Sequence, residues 1–313
     1  MGRAFTVLFI DSNQYLDFYR KPGLKRLLQP LAKVSDRVFI SFQIVDEVTR
    51  NKVAVAKKFF TGHFAGLGME KAIAGLPDQL FSAAVTSELQ AKLKGIHDQI
   101  EATRQAADKA VGDLLLQISQ SEDEVSKALA SIFGRAVDAD QSELDRARVR
   151  KERGSAPGKP DDSLGDQVSW EQFLTKVEKE NWRQVWIISK DGDYCSKYAE
   201  TVVLNASLYL NLVQKRSNIA VHCFTELEKG LRHFIETNSV QDAQLPTAEE
   251  AAAINKEQEA LPPFDWTFYD DGGWHSVVQM YAARQNNLRA ATWIPPNVTI
   301  HLDDDVPRPP VLV

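Results

Sequence analysis

Short apolar runs that end at acidic residues constrain this fold more than any other feature of the sequence. Residues 5–10 form one such run, which Asp11 follows, and residues 185–188 form another, which Ser189 and, two residues later, Asp191 follow. Runs of this length that are rich in β-branched and aromatic residues are typical of strands buried on both faces of a parallel sheet. The pattern predicts a central sheet with acidic side chains directly beyond its strands.

Helical segments alternate with these strands along the chain. We predict further strands at residues 38–40 and 219–223, and helices at about 43–60, 163–178 and 225–236. A chain in which strands and helices alternate folds into a parallel sheet with helices packed on it. The predicted fold class is therefore α/β.

A long amphipathic segment interrupts the alternation. Apolar residues recur at helical spacing from Leu89 to Ile118, and Ser121 with Glu124 has the spacing of a helix capping box. We predict an antiparallel helical hairpin at 88–133, within an insertion at about 85–150. Most of its apolar residues are expected to serve internal packing, and the seam alone does not distinguish contact with substrate, homodimer formation and a partner protein.

The tail of the chain differs from the part that precedes it. Residues 241–259 are polar and rich in Ala and Glu, whereas Trp266, Trp274 and Trp293 follow farther along. We therefore predict one domain at residues 1–240, then a linker and a C-terminal extension at 241–313, whose architecture the sequence does not specify.

Composition excludes several classes of protein. A net charge of −6 does not suit a protein that coats nucleic acid by charge alone, but it is compatible with a metal-dependent nuclease whose own site is acidic. Cys195 and Cys223 are the only cysteines, which fits a reducing compartment and gives no cysteine-based metal site. No apolar run approaches the ~20 residues of a membrane span, so we expect a cytoplasmic protein without a membrane partner.

Four carboxylates that are far apart in the sequence are all expected at the carboxyl edge of the sheet. Asp11 and Asp191 follow strands, Glu47 lies one turn into a helix that follows a strand, and Asp166 lies near the start of the helix before residues 185–188. Functional groups gather at this edge of parallel sheets, and neighbouring acids resist ionisation unless a cation neutralises them. Because the ligands are all oxygens, the fitting cation is Mg²⁺ or Mn²⁺.

Each acid also has a purely structural interpretation. Asp11 and Asp166 are suited to capping helices, Glu47 to a solvated helix surface, and Asp191 with Asp193 to a turn around a glycine. Taken singly the four signals are weak, and it is their joint order along the chain that points to one site.

Four segments together resemble a PIN-domain (PIN-like) nuclease. They are VLFIDSN at 7–13, FQIVDE at 42–47, GDQVSW at 165–170 and IISKDGDY at 187–194, and a Pro-Gly-Lys loop at 157–159 resembles one branch of these proteins. The resemblance covers roughly residues 5–235. It implies a Rossmann-like three-layer PIN fold with a central parallel sheet, to which the helical hairpin and the C-terminal extension are added.

The resemblance also implies an activity and a set of site residues. The activity is metal-dependent endonucleolytic hydrolysis of phosphodiester bonds, in RNA more than in DNA. By position, Asp11, Glu47, Asp166 and Asp191 would hold Mg²⁺ or Mn²⁺ and carry catalysis, with Asp193 as an auxiliary metal ligand. The expected contacts to substrate or to the acids come from Asn13, Lys159, Ser189 and Lys190.

One alternative stays open at this stage. A catalytically silent PIN-like scaffold would bind RNA or a partner protein through the helical insertion and would not need the acids. Other enzyme classes lack their motifs, because the chain has no Gly-x-Ser-x-Gly elbow, P-loop or dinucleotide fingerprint.

Overall fold

The computed structural model describes residues 5–64, 84–158 and 164–259. The chain divides into two compact units, residues 1–264 and 265–313, and every described residue belongs to the first. In the described part of the chain, no helix is both long enough and apolar enough to cross a bilayer.

A four-stranded parallel sheet lies at the centre of the first unit. It contains β1 (Thr6–Ile10), β2 (Val38–Phe39), β3 (Gln184–Ile188) and β6 (Ala220–Phe224), in the order β2-β1-β3-β6. The strands β4 (Cys195–Tyr198) and β5 (Thr201–Leu204) form a separate antiparallel hairpin. The predicted α/β class with a parallel sheet is confirmed, whereas the sequence did not predict this hairpin.

Ten α-helices are described, and three 3₁₀ turns lie between the first helix and β2. The helices are α1 (Ser12–Leu16), α2 (Leu28–Lys33), α3 (Phe42–Phe64), α4 (Ala84–Ser119), α5 (Glu124–Phe133), α6 (Gln141–Glu152), α7 (Gly165–Lys179), α8 (Ala206–Lys215), α9 (Leu227–Thr237) and α10 (Ala248–Glu259). The 3₁₀ turns are Asp17–Tyr19, Pro22–Leu27 and Ser35–Arg37.

The sheet is covered on both faces, as its apolar strands require. On one face Phe9 of β1 packs against Phe173 of α7, with ring centroids 5.1 Å apart. On the other face Trp186 of β3 packs edge-on against Phe234 of α9 at 4.9 Å. Each such buried aromatic side chain contributes about 1.5–3 kcal/mol to folding, so this packing fixes the strands whose ends carry the acids.

The helices between α3 and β3 differ in part from the predicted hairpin. Helix α4 packs along α3, whereas α5 packs on α2 and α6 packs on α7. The predicted cap at Ser121 is wrong, because the side chain of Asp123 accepts the backbone N–H of Ser126 (3.0 Å) and α5 begins at the next residue. The capping box lies instead at Asp140 and Glu143, where it starts the arginine-rich helix α6.

The polar stretch after residue 240 continues the first unit. Helix α10 packs on α9 and on the turn Pro22–Leu27, and Ile254 on its inner face is buried. Arg232 of α9 donates a hydrogen bond to the carbonyl oxygen of Pro246 (2.7 Å). The first unit therefore extends beyond the expected boundary at 240, and the three tryptophans of the expected extension lie outside the described residues.

Candidate functional site: an acidic edge of the sheet

The parallel register of β1 and β3 brings Asp11 and Ser189 together. Ile10 lies opposite Ile188, and the backbone N–H of Asp11 donates to the carbonyl oxygen of Ile188 (3.0 Å). The hydroxyl of Ser189 donates to Oδ2 of Asp11 (2.8 Å) and accepts the backbone N–H of Asp191 (3.0 Å). A single serine hydroxyl therefore links the two segments that carry the first and last acids.

Asp11 occupies an environment that disfavours its charge. Only 5% of the residue is exposed. Burial raises the pKa of Asp11 to about 6, and the nearby charge of Asp191 adds to this, although hydrogen bonds from Ser189, Ser12 and Asn13 oppose it. A buried carboxylate of this kind gains stability from any cation that approaches it.

Glu47 on α3 belongs to the same electrostatic neighbourhood. Burial raises its pKa to about 7, and the charge of Asp11 contributes in the same direction. A hydrogen bond from Ser12 and the charge of Arg50 oppose the shift only in part. Glu47 therefore lies near Asp11, although α3 follows a different strand.

Asp166 reaches this edge because α7 approaches α3 closely at its first turn. A Cβ atom added to Gly165 would lie 2.6 Å from Nε2 of Gln43, which is too close for a side chain. Gln43 precedes Glu47 by one helical turn. A glycine at the first position of α7 therefore permits the approach of Asp166 to the α3 segment that carries Glu47.

Tyr194 is a buried residue whose pKa is raised by burial and by the four acids. It was not predicted as a site residue from the sequence. It is 1% exposed, and its hydroxyl donates to the carbonyl oxygen of Asp166 (3.5 Å). Burial raises its pKa well above the usual value, and four carboxylates raise it further, namely Asp166, Asp11, Asp191 and Glu47. The Tyr194 hydroxyl therefore lies in the electrostatic neighbourhood of the four acids, and its hydrogen bond to the backbone of Asp166 ties the turn after β3 to the start of α7.

Asp191 also organises the turn that follows β3. Its carbonyl oxygen accepts the backbone N–H groups of Tyr194 (3.1 Å) and Cys195 (3.0 Å). Its Oδ1 accepts the backbone N–H of Asp193 (3.0 Å). The turn-forming interpretation of Asp191 is confirmed, and the turn is what directs the ring of Tyr194 into the core.

Asn13 has a buried side-chain oxygen that lacks a hydrogen-bond donor among the described residues, as does Oδ2 of Asp193. Asn13 is buried, and its amide contributes a hydrogen bond to Asp11, whereas its Oδ1 accepts none. A buried, unsatisfied carbonyl oxygen is costly, and a hard cation or a bound water is the kind of partner that would satisfy it.

The two lysines predicted to contact substrate, Lys159 and Lys190, are not both found at the acidic edge. The ammonium group of Lys190 donates to Oδ2 of Asp17 (2.8 Å) and is only slightly exposed. Arg20 and Lys21 also bind Asp17, and although burial alone would raise its pKa, these three cations lower it. Lys190 therefore anchors the end of β3 to the segment after α1, whereas Lys159 lies outside the described residues.

The acids share a neighbourhood, but they do not form a closed coordination shell. Within residues 5–64, 84–158 and 164–259, no set of three or more His, Cys, Asp or Glu side chains has the geometry to hold a metal ion. The chemistry of the donors nevertheless fits Mg²⁺ or Mn²⁺, because they are carboxylate oxygens, two of which have raised pKa values (Asp11 and Glu47), and the unsatisfied oxygen of Asn13.

Comparison of the chain with protein-family models, with curated proteins and with solved structures found no match. Any function proposed for the chain therefore depends on the chemistry of the acidic edge itself.

Proposed function

We propose that this protein is a PIN-like, Mg²⁺- or Mn²⁺-dependent endonuclease that hydrolyses phosphodiester bonds, in RNA more readily than in DNA. The observation that carries the proposal is the joined end of β1 and β3, where the hydroxyl of Ser189 binds the carboxylate of Asp11 and the backbone of Asp191. Carboxylates crowded in this way resist ionisation and are held together most favourably by a divalent cation.

The four acids would hold the metal ion, with Asp193 as an auxiliary ligand. When bound, a divalent ion supplies a water of lowered pKa and a positive charge for the leaving oxygen. The chain's own contribution is to fix the acids. Ser189 holds Oδ2 of Asp11, and the Asp191 turn positions the last acids. Lys159 remains the proposed contact to the phosphate backbone, whereas Lys190, proposed with it, is bound to Asp17. A content of only two cysteines supports a cytoplasmic location.

The proposal predicts that the double variant Asp11→Asn with Asp166→Asn loses Mn²⁺-dependent cleavage. Both changes keep side-chain size and remove charge, and the loss of repulsion should leave the melting temperature unchanged or raised. Cleavage of labelled single-stranded RNA and DNA with Mn²⁺ or with EDTA is the measurement. Asp108→Asn, on the exposed surface of α4, is the matched control.

Unchanged cleavage in the folded double variant would refute the nuclease proposal. A second candidate, a PIN-like scaffold without catalysis, is favoured by one observation: Ile96 and Leu116 on α4 are 45% and 54% exposed. That candidate predicts no Mn²⁺-dependent cleavage by the wild-type protein and binding of RNA or of a partner protein that the double variant retains.

A further inference from the structure

A buried lysine forms a polar cluster with two serines, and the proposed nuclease uses none of the three. Lys52 of α3 is 5% exposed, and its ammonium group donates to Oγ of Ser121 (2.6 Å) and to Oγ of Ser126 (3.0 Å). Its hydrogen-bond partners in the described part of the chain are therefore hydroxyls and not carboxylates. Lysine is almost never buried unless an acid pairs with it, so hydroxyl partners indicate a role for this amine other than charge pairing.

Ser121 lies in the turn between α4 and α5, in a backbone conformation that few residues adopt. Its φ is 58°, and the residue is exposed. Non-glycine residues in this left-handed region are uncommon, and they concentrate at functional sites. Because Asp123 caps α5, the hydroxyl of Ser121 is left to contact Lys52. The exposed member of the pair is therefore the serine, and the buried member is the amine.

The second serine holds the amine in place. The hydroxyl of Ser126 lies 2.9 Å from that of Tyr19, on the turn Asp17–Tyr19, and the two are hydrogen-bonded. The backbone N–H of Ser126 donates to Oδ1 of Asp123 (3.0 Å). Ser126 is therefore fixed at both its backbone and its side chain, and it acts on Lys52 as a positioning residue.

The environment of Lys52 also favours the neutral amine. Burial lowers the pKa of Lys52 to about 8, and the charge of Asp123 opposes the shift only in part. Burial raises the pKa of Tyr19, so the phenol next to Ser126 keeps its proton. Near pH 8 about half of the molecules therefore hold a free amine at position 52. A neutral amine at hydrogen-bond distance from a serine hydroxyl is suited to act as its general base.

We propose that Ser121 and Lys52 form a serine–lysine acyl-transfer site that hydrolyses small activated esters. Lys52 takes the hydroxyl proton of Ser121, the oxygen attacks the ester carbonyl carbon, and the bond to the departing alcohol breaks as that alcohol receives the proton. Water then attacks the acyl group on Ser121. Lys52 accepts a proton from this water and returns it to the serine oxygen as the acid leaves. In total, one ester and one water become one carboxylic acid and one alcohol.

The test labels the full-length protein with a fluorophosphonate in EDTA and maps the modified peptide by mass spectrometry. We expect the phosphonyl group on Ser121, with loss of fluoride, and no label there in Ser121→Ala. Lys52→Arg keeps the charge but cannot lose its proton, and Lys52→Met keeps the length but has no amine. Each should slow labelling by about a hundredfold or more. Ser119→Ala removes an exposed α4 hydroxyl that donates to a backbone carbonyl, and this control should label as the wild type does.

The pH profile of the wild type gives a second readout that needs no variant. The rates of labelling and of hydrolysis of para-nitrophenyl acetate should both rise with pH and level off above about pH 8. The absence of a label on Ser121, equal labelling of a folded Lys52→Arg variant, or ester hydrolysis no faster than in Ser121→Ala would overturn the proposal. Both assays are run without metal, so their outcome is independent of whether the protein is a nuclease.

Discussion

At the scale of single residues, the acidic edge is defined by which carboxyl groups resist ionisation. Burial dominates for Asp11 and Glu47; the charge of Asp191 adds to it for Asp11, and the charge of Asp11 adds to it for Glu47. Both groups therefore hold a proton in the folded chain at pH values where they have lost it in the unfolded chain. Because of this difference, the pH dependence of the free energy of unfolding reports directly on the protonation of Asp11 and Glu47.

The free energy of unfolding of the metal-free protein should fall as the pH rises from about 4 to 7. The folded-state pKa values of Asp11 and Glu47, about 6 and 7, lie above the ordinary values of 3.8 and 4.5. In this window the folded state binds more protons than the unfolded state, so stability decreases with pH by on the order of a few kcal/mol. Urea unfolding in EDTA across this range measures the effect.

Asp11→Asn supplies the comparison for that titration. It should flatten the decline and make the metal-free protein more stable than the wild type at pH 8, since the buried charge is gone. Asp108→Asn should leave the slope unchanged. Parallel slopes for wild type and Asp11→Asn would contradict the burial of a charged Asp11.

Tyr194 donates its hydroxyl to the backbone carbonyl oxygen of Asp166, and Tyr194→Phe removes only that group. The ring should keep its packing against Phe9, with centroids 5.5 Å apart, so the melting temperature should change little. We expect Mn²⁺ affinity to fall by about tenfold, the scale found when a group that orients metal ligands is lost. Isothermal titration with Mn²⁺ measures it.

Tyr194→Leu is the contrasting variant, because it removes the ring as well and should lower both stability and affinity. If Tyr194→Phe bound Mn²⁺ as tightly as the wild type, the hydroxyl would have only a packing role.

At the scale of elements, the site depends on how closely α7 approaches α3. Helix α7 is held on the sheet by Phe173 and Trp170, and its first residue, Gly165, meets Gln43 of α3. The same helix is tied to α6 by Glu171, whose carboxylate accepts hydrogen bonds from Arg146 and Arg150 at 2.9 Å. The position of Asp166 is therefore fixed by the contacts of α7 with the sheet, with α3 and with α6.

Gly165→Ala should push α7 away from α3 and weaken both folding and the site. The new Cβ atom would lie 2.6 Å from Nε2 of Gln43. Because the Gln43 amide is the end of a flexible side chain and can move, we expect the low end of the ~1–3 kcal/mol that overpacking costs. Urea unfolding and Mn²⁺-dependent cleavage should both report the loss.

Combining Gly165→Ala with Gln43→Ala removes the clashing amide and should restore most of the stability. Gly112→Ala, on α4 with open space around it, is the control and should be neutral or stabilising. A Gly165→Ala variant as stable and active as the wild type would show that the close approach does not position Asp166.

At the scale of the whole molecule, the elements that could be predicted from the sequence are those whose residues form a continuous buried run or a regular apolar face. The apolar runs became β1 and β3, and the residues after them, Asp11 and Asp191, lie at the same edge because parallel strands end together. The bounds of α3 extended only a few residues beyond the predicted ones, since its apolar spacing is regular.

Features that depend on contacts between distant segments were not predicted. The β4–β5 hairpin has mixed polarity, with Tyr198 strongly exposed, so it lacks the alternation that identifies a strand. The role of Tyr194 follows from where its ring packs. In the sequence it is only an aromatic residue after Asp193, with nothing that marks it as part of a site. The α5 cap at Asp123 and the packing of α10 on α9 depend likewise on tertiary contacts.

A crystal of the full-length protein soaked in Mn²⁺, with anomalous scattering recorded, tests the central claim most directly. The account predicts an anomalous peak bound by Asp11 and Asp191 together with Asp166 or Glu47, and its loss in the Asp11→Asn and Asp166→Asn double variant. A fully occupied Mn²⁺ site elsewhere on the molecule, with the four acids directed to separate surfaces and no ion between them, would contradict it.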